Sequence, residues 1–224
     1  YPIASFYGYK YIGVFQSEEE LAKYPHLSGD KVGDGRYEDV NKDGVLDQND
    51  KTILGDNNPL FTAGFSNSFS YKNFTLDIQF TGSYGAEVFS FYKRMCGIYH
   101  GDRNGMIEQL GRWQSKDQPG DGIHFRPTRT PSGWQRDPSS AWVQDASYLR
   151  LRNLTLGYNF DQKVLDKMKM KGLRLYVTGQ NLFTITNYVG YDPETSSESG
   201  LAQGGDYLGY PAARSFIIGA NITF

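Results

Sequence analysis

The sequence predicts an all-β fold, an antiparallel transmembrane β-barrel segment of about six strands with long loops and short turns. Apolar and polar residues alternate along several segments of about 11 residues, the period of a strand with one apolar face. Aromatic residues make up 15% of the chain, and 26 glycines and 9 prolines accompany them, a composition typical of many strands joined by many turns. The segments are joined by connections that are either very short or very long.

The alternation places the strands at 5–15, 61–71, 74–84, 147–160, 173–184 and 214–224. In the last of them, Phe216, Ile218, Ala220, Ile222 and Phe224 share one face. Within 147–160 the apolar positions change from odd to even numbers between Leu151 and Leu154. That change predicts either a β-bulge near Arg152–Asn153 or a strand that leaves the membrane at this point.

Strand length favours a membrane barrel over a β-sandwich. Segments of about 11 residues, rising about 3.3 Å per residue and tilted about 45°, span roughly the 25 Å of an outer-membrane apolar band. Sandwich strands more often have about 5 to 6 residues. The strand aromatics therefore suit a lipid-facing surface, with a soluble core as the alternative. They are Phe74, Phe80, Tyr158, Phe160, Phe216 and Phe224.

The connections indicate the orientation of the strands. Only Lys72 and Asn73 separate the second strand from the third, and a compact segment predicted as one or two helical turns, stopped by Gly172, follows Phe160. The long connections are 16–60, 85–146 and 185–213, and the second carries a helix-like pattern around Val88–Arg112. Antiparallel strands place all three at one end, as in barrels with long outer loops. Six strands are too few to close a membrane-spanning barrel, so we expect further strands to complete it.

Composition excludes several classes of protein. The 23 basic and 25 acidic residues nearly balance, which excludes a polycationic nucleic-acid binder. A mean hydropathy of −0.56 and the lack of a long apolar run exclude a transmembrane helix. Cys96 is the single cysteine, so neither an internal disulfide nor a cysteine cluster for metal is expected. The first residues are strand-like without the pattern of a signal peptide, so the chain is expected to begin within a folded region.

The segment DVNKDGVLDQND predicts a calcium-binding loop. Oxygen ligands fall at the first, third, fifth, seventh, ninth and twelfth positions, and Gly44 occupies the sixth, where the loop turns sharply. The last position is Asp where a bidentate Glu is usual, and no convincing helix precedes the loop. We therefore expect a structural Ca²⁺ ion, with a metal-free acidic turn as the alternative. The predicted ligands are Asp39, Asn41, Asp43, the Val45 carbonyl, Asp47 and Asp50.

Other constellations predict no enzyme and no catalytic residue. His26, His100 and His124 are too widely spaced to suggest a metal site or a general base. Neither a nucleophile elbow nor a phosphate-binding loop is present, and the carboxylates are scattered along the chain. Several loop aromatics are candidates to stack on sugars or peptides, or simply to pack the loops. They are Trp113, Trp134, Trp142, Tyr188, Tyr191, Tyr207 and Tyr210.

Four blocks of the sequence resemble a known family. DVNKDGVLDQNDKTILGDNNPLFTAGFSNSFSYKNFTLDIQFTGSYG, DASYLRLRNLTLGYNF, LRLYVTGQNLFTITNYVGYDPE and YPAARSFIIGANITF occur in the order found in the C-terminal part of SusC/RagA TonB-linked outer-membrane proteins of Bacteroidetes. The resemblance implies a 22-stranded barrel with an N-terminal plug, covered outside by a SusD-like lipoprotein. Residues 1–224 would then be the C-terminal part of the barrel, without the plug, in the outer membrane with the long loops extracellular.

The resemblance also implies the function and the partners. The complete protein would import glycans or peptides, using force delivered by TonB through the N-terminal part. Its partners would be the remainder of the barrel and plug, the SusD-like surface lipoprotein, an oligosaccharide or peptide, and outer-membrane lipid, but no nucleic acid.

Two other classes of protein remain open from the residues alone. A secreted calcium-stabilised β-sandwich that binds carbohydrate would share the aromatics and the acidic loop, whereas a hydrolase would need carboxylates gathered in a cleft. A sandwich would bury the lipid-facing set against a second sheet, and a barrel would expose it as one band. That set is Phe74, Leu76, Ile78, Phe80, Phe216, Ile218 and Phe224.

Overall fold

The computed structural model describes residues 2–97, 104–128, 138–195 and 203–224, in two compact units. The loop unit comprises Tyr1–Asn58, Glu87–Gln144 and Thr195–Gly209, and the sheet unit comprises Pro59–Ala86, Asp145–Glu194 and Tyr210–Phe224. The strands are β1 Ser5–Tyr9, β2 Tyr11–Val14, β3 Gly35–Tyr37, β4 Lys51–Asp56, β5 Phe61–Tyr71, β6 Phe74–Tyr84, β7 Glu87–Ser90, β8 Val143–Asp145, β9 Tyr148–Asn159, β10 Gly172–Thr186, β11 Gly205–Asp206 and β12 Ser215–Thr223. The helices are α1 Glu18–Lys23, α2 Phe91–Gly97 and α3 Gln162–Met168, with 3₁₀ turns at Gln48–Asp50, Ile107–Gly111 and Ser140–Trp142.

The sheet unit is built on one five-stranded antiparallel sheet in the order β12-β10-β9-β6-β5. Its strands are five of the six predicted from alternation, so the predicted antiparallel all-β architecture is confirmed. The register places Phe61 opposite Tyr84 at one end of the sheet and Tyr71 opposite Phe74 at the other. The long connections leave from the first end, while Lys72 and Asn73 form a two-residue turn at the second.

The sixth predicted strand, 5–15, is not part of this sheet. It is divided into β1, which pairs with β4, and β2, which pairs with β3. The register shifts within both pairs, and Gly13 adopts a φ of +121° that interrupts regular strand geometry. Two of its aromatic residues, Tyr9 and Phe15, are buried inside the loop unit, where Tyr9 packs with Tyr37 and Leu46, whereas Tyr7 is exposed.

A row of apolar side chains crosses the five-stranded sheet. Phe69 pairs with Leu76, Leu76 with Leu156, Leu156 with Val177, and Val177 with Ile218. Because side chains at paired positions point to the same face, all five strands present their apolar residues on one side. The register therefore creates one apolar face and one polar face.

The change of parity in β9 is caused by a β-bulge. Gln79 is opposite Asn153 and Phe80 is opposite Leu151, so Arg152 has no partner residue on β6. The register with β10 shifts at the same place, between Gln180 and Phe183. The bulge predicted near Arg152–Asn153 is confirmed, and it keeps the apolar residues before and after it on one face.

The helical predictions need correction in detail. The segment 88–112 begins with strand β7, and helix α2 follows, with the 3₁₀ turn Ile107–Gly111 further along the chain. Helix α3 forms where helical turns were predicted, but it ends at Lys169, whose left-handed conformation (φ 57°, ψ 39°) caps the helix, while Gly172 begins β10. Within the described ranges, no helix is long and apolar enough to cross a membrane.

The loop unit has its own apolar core. Val14, Phe89, Phe125 and Trp142 are buried together. A small sheet in the order β11-β7-β8 supplies Phe89, and the β7–β11 pair within it is parallel. Three residues of the connection 85–146, Phe89, Phe125 and Trp142, therefore pack together with Val14 of β2.

Candidate functional site

The apolar face of the sheet is exposed as a continuous band. Ile218 is 83% exposed, Phe224 76%, Phe216 75% and Phe74 51%, and the remaining three members of the predicted lipid-facing set are partly exposed. Water disfavours such a large apolar surface, so an apolar environment must cover it in the functional protein. No second sheet buries it within the described part of the chain, so the β-sandwich alternative is not supported.

The opposite face carries a ladder of side-chain hydrogen bonds between strands. Ser68 Oγ donates to Asp77 Oδ1 at 2.6 Å, and Asn153 Nδ2 donates to Gln79 Oε1 at 2.7 Å. The hydroxyls of Thr155 and Thr178 lie 2.8 Å apart. Polar side chains suit the aqueous interior of a barrel, because they can form hydrogen bonds with one another, with water or with a solute.

An ion-pair cluster lies on this polar face at the end where the long connections leave. Arg150, on β9, is only 3% exposed and pairs with both Asp192 and Glu194 of the connection that follows β10. The Arg150 Nη2 donates to Asp192 Oδ1 at 2.6 Å, and its Nε donates to Thr184 Oγ1 at 2.8 Å. A buried guanidinium that reaches two elements fixes their relative position.

The carboxylate of Glu194 is shared by three side chains. Besides Arg150, it accepts hydrogen bonds from the Arg152 guanidinium and from the Tyr148 hydroxyl. Arg152 is the bulged residue, so the bulge directs this second cation toward the same carboxylate. The cluster thus depends on the irregularity in β9.

Asp192 joins the beginning and the end of the long β10–β12 connection. Its Oδ1 accepts from the Glu194 amide and its Oδ2 accepts from the Ala212 amide, both at 3.0 Å. Burial raises the pKa of the Asp192 carboxyl, but the hydrogen bonds from Ala212, Arg150 and Glu194 outweigh it and hold that pKa below its usual value. The ionised carboxylate therefore ties the connection to the sheet at neutral pH.

The predicted calcium loop lies between β3 and β4 in the loop unit. Its side chains form a series of tight turns: Asp39 accepts from the amides of Lys42 and Gly44 at 2.7 and 2.9 Å, and Asp43 accepts from the Val45 amide at 2.8 Å. Asn41 Oδ1 and Asp47 Oδ1 make similar bonds two residues along the chain. Gly44 has a φ of +84°, which agrees with its predicted position at the sharp turn.

Asp50 holds the end of this loop. It is fully buried, and its two oxygens accept from the Val40 and Asp47 amides at 2.9 and 2.8 Å. Oδ1 also accepts a longer bond from the Asn41 amide, at 3.5 Å, so the Asp50 carboxylate is turned toward the backbone amides of its own loop. Among the described residues, no group of three or more His, Cys, Asp or Glu side chains is arranged to hold a metal ion. Calcium at Asp39–Asp50 thus stays a prediction.

Comparison with known proteins covers nearly the whole chain, although no family model matches it. The chain is 35% identical to TonB-dependent receptor P3 and 33% identical to TonB-dependent receptor P26, both of Formosa agariphila, over 99% and 98% of its length. It is 28% identical to TonB-dependent receptor SusC of Bacteroides thetaiotaomicron over 84% of its length. The chain is of the SusC/RagA type of TonB-dependent receptor. It spans about a fifth of these relatives (22%, 22% and 17%).

Solved structures support the same fold for this SusC/RagA-type chain. It matches structures of the RagAB peptide importer in the open-open state and of the RagAB peptide transporter, with TM-scores of 0.74 and 0.75. Sequence identity is 23% and 22%, and each match covers 98% of this chain and 22% of the other. The relatives are named as receptors and not as enzymes, which agrees with the prediction that this chain carries no catalytic site.

The loop aromatics and the histidines singled out in the sequence of this SusC/RagA-type chain have different surroundings in the structure. Trp142 and Tyr188 are buried, and Trp113 packs against the same core as Trp142. Tyr191 and Tyr210 are exposed and available for stacking, whereas the exposed Tyr207 stacks on Phe91 with ring centroids 3.9 Å apart. His124 Nδ1 lies 2.5 Å from Asp121 Oδ2, and His26 Nδ1 lies 3.0 Å from the Tyr24 carbonyl oxygen. Among the described residues, neither histidine belongs to a group of side chains that could hold a metal ion. His100 and Trp134 lie outside the described residues.

The ion-pair cluster was not predicted from the sequence. Alternation does place Arg150 before the parity change and Arg152 at it, and GYDPE supplies two carboxylates. Nothing in the spacing, however, shows that the connection after β10 folds back onto β9.

Proposed function

We propose that this chain forms one wall of a TonB-dependent outer-membrane nutrient importer that takes up glycans or peptides together with a SusD-like lipoprotein. The five-stranded sheet with an exposed apolar face and a hydrogen-bonded polar face carries the proposal. Such a sheet suits a barrel wall between lipid and an aqueous lumen. Further strands of the complete protein would pair with the edge strands β5 and β12.

The proposed orientation places the end at Phe61 and Tyr84 outside the cell. Long connections at the outer end and short turns at the inner end are the usual arrangement in outer-membrane barrels. The connection held by Arg150 would then lie at the outer mouth, on the lumen side, where substrate and the SusD-like partner would meet the barrel. TonB would act through a plug contributed by the remainder of the protein. Import would need binding and gated passage of the substrate, without a covalent step.

The proposed substrate class rests on the relatives and on the exposed tyrosines. One neighbour is a peptide importer and one relative is SusC, and both glycans and peptides are bound by aromatic stacking together with polar groups. Tyr191 and Tyr210 are exposed, as such a contact would need.

The test of this function is growth of the parent bacterium after deletion of the gene for the complete protein. We expect the deletion strain to lose growth on one oligosaccharide or peptide source and to keep growth on its monomers, because only the larger nutrient needs an importer. Complementation with the complete gene should restore growth. A tagged complete protein should also co-purify with a lipoprotein of SusD-like sequence. Unchanged growth on every oligosaccharide and peptide, with no such lipoprotein, would contradict the proposal.

We also propose that the Asp39–Asp50 loop binds a structural Ca²⁺ ion. Support comes from the ligand spacing and from the turn at Gly44, and the metal would tie β3 to β4. Calcium accepts six to eight oxygen ligands, which carboxylates, the Val45 carbonyl and water would supply.

Calcium titration of the complete protein in detergent tests this second proposal. We expect one Ca²⁺ to bind the calcium-stripped protein, and Asp43→Ala to weaken binding by at least about tenfold, the effect of about 1.4 kcal/mol. Asp117→Ala removes an exposed carboxylate outside the loop and should leave affinity unchanged. Equal affinity in the two variants, or no binding to the parent protein, would favour the metal-free turn.

A further inference from the structure

A pocket in the loop unit is lined by aromatic residues from three separate segments. Phe6 belongs to β1, Phe89 belongs to β7, Phe91 begins α2, and Tyr207 follows β11. The volume of the pocket is about 460 Å³, which lies within the range of about 300–1,000 Å³ typical of small-molecule sites. All of its described lining residues belong to the loop unit, so the pocket is formed without the five-stranded sheet.

The aromatic rings of this pocket form a continuous series. The ring centroids of Phe6 and Phe89 are 6.1 Å apart, those of Phe89 and Phe91 4.9 Å, and those of Phe91 and Tyr207 3.9 Å. The first two pairs meet at 52° and 61°, whereas the last pair is stacked at 14°. Phe89 is buried and Tyr207 is 66% exposed, so the series runs from the floor of the pocket to its rim.

Arg94 gives this aromatic pocket a positive charge. It follows Phe91 by three residues on α2, and residues at that spacing share one face of a helix. Arg94 is the only charged residue among the described residues that line the pocket. A guanidinium can hold a carboxylate through two parallel hydrogen bonds. The pocket therefore combines a surface for an apolar ring with a cation that suits a carboxylate.

The floor of the pocket favours a peptide over a sugar as its ligand. It consists of phenylalanine rings, which offer no hydrogen bonds to the hydroxyl groups of a sugar, and burying such groups without partners is costly. An aromatic side chain carries no hydroxyl groups around its ring and would pack on Phe89 and Phe91 face to face or edge to face. In the C-terminal residue of a peptide, the carboxylate lies close to the side chain, which matches the position of Arg94 beside Phe91.

We propose that this pocket binds the C-terminal residue of a peptide that ends in an aromatic amino acid. The aromatic side chain packs against Phe89, Phe91 and Tyr207, and the terminal carboxylate pairs with Arg94. The inference rests on the proposed function and narrows its substrate class from glycans or peptides to peptides of this kind.

Isothermal titration calorimetry of the complete protein in detergent tests the proposal. The probes are the tripeptide Gly-Gly-Phe with a free carboxylate, the same tripeptide with an amidated C-terminus, and the sugar maltotriose. We expect the free tripeptide to bind the parent protein at least about tenfold more tightly than the amide, because a hydrogen bond between charged groups is lost. This comparison needs no variant of the protein.

Two substitutions then assign the binding to the pocket. Arg94→Gln should weaken binding of the free tripeptide by at least about tenfold and leave binding of the amide unchanged, because the amide has no carboxylate to pair with Arg94. Tyr207→Ala should weaken binding of the free tripeptide about threefold to tenfold, the effect of one aromatic contact. Because Tyr207 is exposed, this variant also supplies a test if Arg94→Gln fails to fold.

The matched controls are Lys116→Gln and Tyr24→Ala. They remove a cation and a tyrosine from exposed positions of the loop unit that do not line the pocket. Both controls should bind the free tripeptide and its amide with the affinities of the parent protein.

The outcomes separate the pocket from the proposed function. The pocket proposal is wrong if the free tripeptide does not bind the parent protein, or binds the parent, Arg94→Gln and Tyr207→Ala proteins equally. Binding of maltotriose alone, weakened by Tyr207→Ala, would overturn it in favour of a sugar site. If the tripeptide binds as expected but the deletion strain grows normally on every peptide and oligosaccharide, the pocket stands and the import function fails.

Discussion

Arg150→Met is expected to lower the free energy of unfolding of the complete protein by about 3–5 kcal/mol, the usual cost of breaking a buried ion pair. Methionine replaces the length of the side chain without its charge. The change leaves Asp192 without its cation and Glu194 with Arg152 as its remaining cation. Denaturant titration in lipid vesicles measures the loss. Hydrogen exchange should also rise in residues 187–195, because the connection is no longer tied to β9.

Arg174→Met is the matched control for this prediction. Arg174 lies on the same polar face, but its pair with Asp77 is long, at 3.7 Å, and the two side chains are 35% and 46% exposed. Solvent screens such a pair, so its loss should cost about 0–1 kcal/mol. Equal losses for the two variants would show that the Arg150 cluster does not hold the connection in place.

Ile218→Lys is expected to cost about 2–4 kcal/mol and to reduce the amount of folded protein in the outer membrane, because a lysine near the middle of a lipid-facing strand must leave water. Ile218 lies on the apolar face and is 83% exposed. Folded protein is measured by heat-dependent gel mobility of the membrane fraction.

Ile217→Lys tests the same amino-acid change one residue away. Ile217 pairs with Thr178, and its side chain belongs to the polar face, so lysine there should leave the amount of folded protein close to that of the parent. Because the two substitutions differ only in the face they reach, a difference between them measures the environment of each face. Equal loss at both positions, or no loss at either, would argue against a membrane-facing sheet.

The strands of the sheet were predictable because side-chain direction follows directly from backbone geometry. In a strand, successive residues point to opposite faces, so β5 and β6 and even the bulge in β9 are visible as a pattern of apolar positions. The same rule failed for 5–15. An alternating pattern does not specify the strand with which a segment will pair, and here the partners are β3 and β4, two short and weakly patterned strands.

The candidate sites divide in the same way. The acidic loop is contiguous, so its turns and the position of Gly44 could be predicted from spacing alone. The ion-pair cluster joins Arg150 to Asp192 and Glu194, more than forty residues along the chain in each case. Its formation depends on a bulge that directs Arg152 and on a connection that folds back onto the sheet.

The sequence by itself determined which strands have an apolar face, how long they are, and that they resemble a TonB-linked barrel, because these properties depend on residues close together in the chain. Only the tertiary structure decided that the first segment packs in the loop unit and that the connection after β10 is tied to β9. Each of these depends on register and on contacts between distant segments, and the free energy of such contacts is set by burial and pairing that no local pattern contains.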